Sequence, residues 1–289
     1  MRILGKRRTE QTRGERPETA RRPQAVLSAL LAACLGLGPL GCSDGEQDDT
    51  YLHLPASTTN SELARAIRDH PGIAHLNLDG CRRVTDLSPL SGLTGLTRLH
   101  LPVCENVTDL SPLAGLTKLT YLDLSFCAKI SDISPLASLT ELDELNLDYC
   151  EKVTDLSLLR EMTRLTHLSL PPSTTDEQLA AVAADHPALT MLGLHDCTRI
   201  TDLSPVASLK RLTGLYLSGR HKIKDLSPLR KLGRLRELSL GQAPEVTDLT
   251  PLMELTHLRS LWLSGCDKVS KEEFQKLRES IPECFWHRY

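Results

Sequence analysis

Aromatic side chains are scarce in this chain: Phe, Tyr and Trp make up only 3% of its 289 residues, against 40% hydrophobic residues overall. A chain of this length has a sizeable core to fill, so leucine and its aliphatic relatives must build nearly all of it. That bias points to a repetitive aliphatic interior. A dominant charge is also missing. The formal net charge is -3 and the pI is near 6.4, so no global basic field directs the chain to nucleic acid. The nine cysteines include no C-x-x-C pair, whereas zinc sites want closely spaced, convergent cysteine pairs. Nor is there an H-E-x-x-H, a G-x-S-x-G, a P-loop or an EF-hand loop. The reading is therefore no catalytic residue, no metal and no cofactor.

One apolar run stands near the N-terminus. Residues 1–24 are dense in arginine and lysine, including Lys6-Arg7-Arg8 and Arg21-Arg22, and an apolar stretch from Ala25 to Gly38 follows, ending in Pro39-Leu40-Gly41-Cys42. The stretch falls short of the ~20 residues of a comfortable bilayer span. Basic, then apolar, then small residues is the layout of a secretory signal, expected over 1–42. Leu40-Gly41-Cys42 resembles the cleavage box of bacterial lipoproteins, although Pro39 stands where leucine is usual. The resemblance implies that Cys42 is the lipid attachment site and the mature N-terminus. Gly36-x-Gly38-x-x-Gly41 formally matches a dinucleotide fingerprint, but that motif needs a preceding strand and a following helix. Inside a signal it is a false positive. Residues 43–48 read as a short solvated tether.

From residue 73 a 23-residue unit recurs, and self-similarity of this kind decides fold more firmly than local propensity. Its first copy runs from Ile73 through Leu76, Leu78, Cys81, Val84, Asp86-Leu87-Ser88-Pro89-Leu90 and Leu93, and later copies begin at Leu96, Leu119, Leu142, Leu189, Leu212, Leu235 and Leu258. The pattern resembles the leucine-rich-repeat family: its Asp-Leu-Ser-Pro-Leu tail is similar to internalin-type repeats and its Cys-x-x-Val-Thr-Asp segment to cysteine-containing ones. The fold class implied is α/β, a leucine-rich-repeat solenoid of about ten repeats over 49–289. A parallel sheet would line its concave face and short 3₁₀ or helical turns its convex face. Leu76 and Leu78 alternate with exposed positions, as a short strand requires. Ser88-Pro89 fits an N-cap followed by proline at the first helical position. One unit cannot bury its leucines alone, so neighbours must stack, and ten strands at ~4.8 Å spacing span on the order of 45 Å.

A longer period is also present, because residues 49–164 and 165–280 form two blocks of equal length. Asp69-His70-Pro71 corresponds to Asp185-His186-Pro187, and each block opens with a unit that replaces the Asp-Leu-Ser-Pro turn by an amphipathic segment, 60–70 or 176–186. These segments are long enough for α-helices. Ser270-Lys-Glu-Glu273 reads as a capping box for a last helix with Phe274, Leu277 and Ile281 on one face. The segment 270–289, with the aromatic tail after Cys284, is expected to cap the open end of the core.

Cys81, Cys104, Cys127, Cys150, Cys197 and Cys266 share one repeat position, which Ser173, Arg220 and Ala243 fill elsewhere. The expectation is an internal ladder of free thiols bonding backbone groups. Parallel side-chain directions would make disulfides awkward, although buried thiols sit uneasily with an oxidising compartment. His70 and His186 are expected to close helix ends.

The outward strand positions give His75 and Asn77, Arg98 and His100, Tyr121 and Asp123, then Glu144 and Asn146, with Phe126 and Tyr149 just beyond their strands. In the second block the face is plainer until Tyr216 and Trp262. Register would bring these groups side by side into a charged and aromatic strip of the kind partner-facing patches show. Together with the family resemblance, this implies a non-enzymatic, monomeric scaffold that binds a protein partner, either an outer-membrane lipoprotein held at the cell envelope by a lipid on Cys42 and otherwise free of the membrane, or, where residues 1–42 are an ordinary cleaved signal or a leader, a secreted protein. The alternative is a cytoplasmic regulatory sensor, since similar repeats form the ligand-sensing ends of bacterial signalling ATPases. A ligase-type enzyme would need a catalytic domain beyond the repeats.

Overall fold

A computed structural model describes residues 50–219 and 221–287. The expected signal, the tether and Cys42 lie outside the described residues, as does Arg220.

Strands of three residues recur once per unit. The first block carries β1 (Tyr51–His53), β2 (His75–Asn77), β3 (Arg98–His100), β4 (Tyr121–Asp123) and β5 (Glu144–Asn146). Next come β6 (His167–Ser169), β7 (Met191–Gly193), β8 (Gly214–Tyr216), β9 (Glu237–Ser239), β10 (Ser260–Trp262) and β11 (Phe285–His287). All eleven lie in one parallel sheet in sequence order. Leu76 pairs with Leu99 and Leu99 with Leu122, so the leucine column is in register. These leucines are fully buried, each worth roughly 1.5–3 kcal/mol relative to exposure. Because each unit covers the core of its neighbour, the stack is a leucine-rich-repeat solenoid.

Several elements differ in detail from the sequence reading. The 3₁₀ turn Ser88–Gly92 begins at Ser88 itself and follows Leu87, with no side-chain cap from serine. The capping is done by Asp86, whose carboxylate accepts from the Ser88 backbone N–H at 2.8 Å and the Ser88 hydroxyl at 2.9 Å. The same aspartate-to-N–H bond returns at Asp109, Asp132, Asp155, Asp202, Asp225 and Asp248. Aspartate wins because its two oxygens reach two residues ahead as an Asx turn, leaving serine free to enter the helix.

The amphipathic segments are helices, α1 (Asn60–Asp69) and α2 (Asp176–Asp185), opened by capping boxes at Thr59 with Glu62 and at Thr175 with Gln178. Leu63 and Ile67, and likewise Leu179 and Val182, face the core. His70 Nδ1 lies 3.0 Å from the Ala66 carbonyl and closes α1 as expected. His186 does not close α2 with its ring: the ring is buried, neither nitrogen has a hydrogen-bond partner of ordinary geometry, and the backbone it feels is that of Leu159 in the preceding unit. Only its backbone N–H reaches back, to Val182.

The C-terminal segment forms α3 (Lys271–Ser280), with the Ser270 hydroxyl accepting from the Glu273 N–H at 3.1 Å. The box is half made. Glu273 Oε1 accepts instead from the Leu249 N–H, 3.0 Å away in the preceding unit. The aromatic tail adds β11 alongside β10. It therefore continues the sheet by one strand beyond the ten expected, with Phe285 65% exposed.

The cysteine column forms the expected ladder. Cys104, Cys127 and Cys150 each donate from Sγ to the carbonyl of Leu78, Leu101 and Leu124 in the preceding unit, at 3.1–3.2 Å. Cys81, Cys197 and Cys266 do the same at 3.3–3.4 Å, the first two to proline carbonyls. All are free thiols. Next to Arg220, His221 is buried, its ring within the influence of the Leu217 backbone.

Candidate binding face

Alternation along each strand sends the central leucine inward and its two neighbours to the opposite face. Parallel pairing then aligns those neighbours in columns: His75, Arg98, Tyr121 and Glu144 in one, and Asn77, His100, Asp123 and Asn146 in the next. The expected strip of the first block is thus assembled side by side.

Its members interlock. The Arg98 guanidinium lies 4.1 Å from the Tyr121 ring centroid, and the His100 ring lies 4.4 Å from the same ring. Burial, helped by the Arg98 and His75 charges, pulls the His100 pKa down to about 4. This packing leaves Tyr121 only 3% exposed, so it is a floor for its neighbours and less open to a partner than its outward register implies. Asn146 and Tyr216 are buried likewise. Asn146 Oδ1 accepts from the Asp148 N–H at 2.9 Å, and the Tyr216 hydroxyl donates to Glu237 Oε2 at 2.6 Å. His75, Asn77, Arg98, His100, Asp123, Phe126, Glu144, Tyr149 and Trp262 remain half-buried and reachable. Trp262 stands apart from the first-block strip and stacks on His287 at 4.3 Å.

Just past the strands, the face continues through two columns that alternation within strands does not reveal. One holds Ser125, Asp148 and His195, each two residues before a ladder cysteine. The other, immediately before the cysteine, takes a left-handed backbone: φ is 70° at Gly80, 60° at Phe126, 58° at Tyr149 and 52° at Asp196. Glycine accepts that conformation without cost, whereas bulky side chains rarely do. Phe126 and Tyr149 do, with their rings stacked at 4.4 Å and an interplanar angle of 9°.

Asp148 is the electrostatic anomaly of the face. It is fully buried, and neither carboxyl oxygen has a hydrogen-bond partner of ordinary geometry. Burial raises its pKa to about 8, against a counteracting pull from the Ser169 hydroxyl. Asp123 Oδ1 accepts from the Ser125 N–H at 2.9 Å, yet burial still lifts its carboxyl to about 6. Glu144 is also raised, by burial first, with His167 and Arg98 opposing. His195, buried beside Tyr216 at 6.1 Å, is pulled down to about 4. A signal for Asp148, His195 and Asp196 was present in the sequence, because the repeat fixes their columns, but it lies outside the three-residue strands.

Among the described residues, no three His, Cys, Asp or Glu side chains are grouped to hold a metal ion, and no helix is long and apolar enough to cross a membrane.

Comparison with known proteins agrees with this geometry. Residues 96–138 and 187–231 match the family of leucine-rich repeats in two copies. An internalin from Listeria monocytogenes (inlF) superposes with a TM-score of 0.60 at 30% identity over 78% of this chain and 65% of its own. A leucine-rich-repeat protein of Leptospira interrogans gives a TM-score of 0.59 at 21% identity over 80% of this chain and 57% of its own. This chain thus spans less than two thirds of the length of either. No curated protein sequence matches it.

Proposed function

Taking this chain as an internalin-like leucine-rich-repeat protein, we propose that it is a non-enzymatic scaffold that binds a protein partner across its sheet face. The observation that carries the reading is the in-register strip from β2 to β5, extended by the Phe126–Tyr149 stack. Aromatic and arginine side chains dominate binding hot spots, provided they are rigidly held and surrounded by groups that exclude water. Here Arg98, His100 and Tyr121 hold one another, so little rotamer freedom is left to lose on association. Each three-residue strand ends in a tight turn, and such an array offers few places for the enclosed, preorganised pocket that catalysis needs. The leucine-rich-repeat fold generally serves as such a binding scaffold.

The proposal extends to placement: the protein is held at the cell envelope by lipid on Cys42, a reading that rests on the basic–apolar–Leu40-Gly41-Cys42 sequence alone. Labelling growing cells with a radioactive fatty acid tests it. The label should appear in the wild-type protein and vanish in Cys42→Ser; an unlabelled wild-type protein contradicts it. Partner binding is tested by pull-down with wild-type protein, with the face variants Arg98→Ala and Glu144→Ala, and with Glu161→Ala on the flank. Loss of the same partner in the face variants alone is expected, and equal recovery in all four overturns the choice of face.

A further inference from the structure

The sheet face over β4–β8 is predominantly acidic. Its outward positions and the two columns before the ladder cysteines include Asp123, Glu144, Asp148 and Asp196 but no lysine or arginine; the basic residues of these turns, Lys129, Lys152 and Arg199, follow the cysteines. The arginine nearest by register, Arg98 on β3, is already committed to Tyr121. By contrast, the flanking turns carry pairs such as Arg164 with Glu141 and Lys268 with Glu245. The imbalance therefore belongs to this face and not to the whole surface.

Two independent features lie within the acidic zone. The first is Asp148, fully buried, whose carboxyl has no hydrogen-bond partner of ordinary geometry and only the pull of the Ser169 hydroxyl beside it. It lies between Asp123 and Asp196, both of which it feels through charge. An ionised carboxylate there has no cation to offset its desolvation. The second is the Phe126–Tyr149 stack, which sits on left-handed backbone that glycine would adopt more cheaply. The same left-handed backbone recurs at Val103 and Gln242, so the turn belongs to the repeat and the aromatic pair is what is particular to this site. The Tyr149 hydroxyl interacts with Asp196, so a flat aromatic surface ends at a carboxylate.

Stacked aromatic faces attract a planar guanidinium, which is weakly hydrated and presents a rigid fork of donors to a carboxylate. Resting on the binding-face reading above, we infer that the sheet face over β4–β8 takes an arginine-bearing segment of a protein partner, its guanidinium lying on the Phe126–Tyr149 stack and forked to Asp196. The protein already uses the same chemistry within itself, one unit away, where Arg98 covers Tyr121. An arginine brought in from outside supplies the cation that this acidic zone lacks. Asp148 does not touch it; its buried carboxyl is protonated at neutral pH and gains reason to ionise only when a cation arrives nearby.

The test uses the full-length protein and a dye-labelled peptide of alternating arginine and glycine, compared by fluorescence anisotropy with its citrulline counterpart. Citrulline keeps the planar shape and removes the charge. The arginine peptide should bind about tenfold more tightly, a difference of ~1.4 kcal/mol. Phe126→Asn and Asp196→Asn, both compatible with a left-handed backbone, should each remove most of that preference, whereas Glu254→Gln on the flank should leave it intact. Circular dichroism checks that the variants fold, and Asp196→Asn alone decides the matter if Phe126→Asn does not. Equal binding of the two peptides overturns the inference, as does a folded Asp196→Asn protein that keeps the full preference. A partner that still contacts the face without an arginine preference would leave the binding-face reading standing and remove only this one.

Discussion

The rings of Phe126 and Tyr149, one repeat apart, stack at 4.4 Å with an interplanar angle of 9° although both residues hold φ near 60°. The leucine core fixes the spacing of the two residues, and the left-handed turn aims both rings along the same face. Phe126→Asn and Tyr149→Asn, each keeping the left-handed backbone, should be non-additive. A double-mutant cycle in urea should return a coupling of about 1 kcal/mol. Strict additivity would mean that the rings only lie near each other.

The leucine column predicts a uniform core. Leu122 is fully buried and pairs in register with Leu99 and Leu145, so Leu122→Ala should cost roughly 3–5 kcal/mol. Chemical denaturation measures it. A loss under ~1 kcal/mol would mean that neighbouring units do not depend on one another for burial.

Asp148 sets a pH dependence whose sign is definite. Its carboxyl stays protonated up to about pH 8 in the fold but only to about pH 4 when unfolded. The folded state therefore binds the extra proton between these limits, and stability falls as pH rises through that window. Asp148→Asn should raise the melting temperature at pH 8, by the equivalent of on the order of 3 kcal/mol, with the advantage shrinking toward pH 4. His195 acts in the opposite sense. Held near 4 by burial, it loses stability as pH falls below its unfolded value of ~6.5. A melting temperature of Asp148→Asn that tracks wild type at every pH would contradict the burial of an unpaired acid.

The thiol ladder predicts chemical silence. Burial pushes Cys104 and Cys150 up to about 12, and the thiolate is the reactive form. Iodoacetamide at pH 8 should leave the ladder cysteines of the native protein unmodified by peptide mass spectrometry and label them on denaturation. Rapid native labelling of Cys127 would show that the ladder is open.

The repeat made much of this legible. Period and leucine spacing placed the strands, both helices and the cysteine column, because each depends on a pattern repeated across many units. Details set by competition between neighbouring groups were not readable. Ser88 looked like a cap, but the turn begins at Ser88 and Asp86 holds the Ser88 N–H; Glu273 looked like half of a box, but the Leu249 N–H in the preceding unit draws it away. The segment after Ser270 read as a cap, and Leu277, Ile281 and Cys284 are buried in the core; that its tail also adds a strand was not readable, because three residues show no alternation to recognise. Tyr121 and Tyr216 were read as open contact points from register alone, which gives the side a residue faces but not how far its neighbours cover it.

The account turns on the sheet face meeting a partner. A photoreactive amino acid placed in turn at Asn77, Glu144 and Asp196 on the face, and at Glu161 and Glu254 on the flank, tests it most directly in cells under ultraviolet light. The account predicts one cross-linked protein species from the face positions and none from the flank. Cross-links of equal yield from the flank, or none from the face, would contradict it.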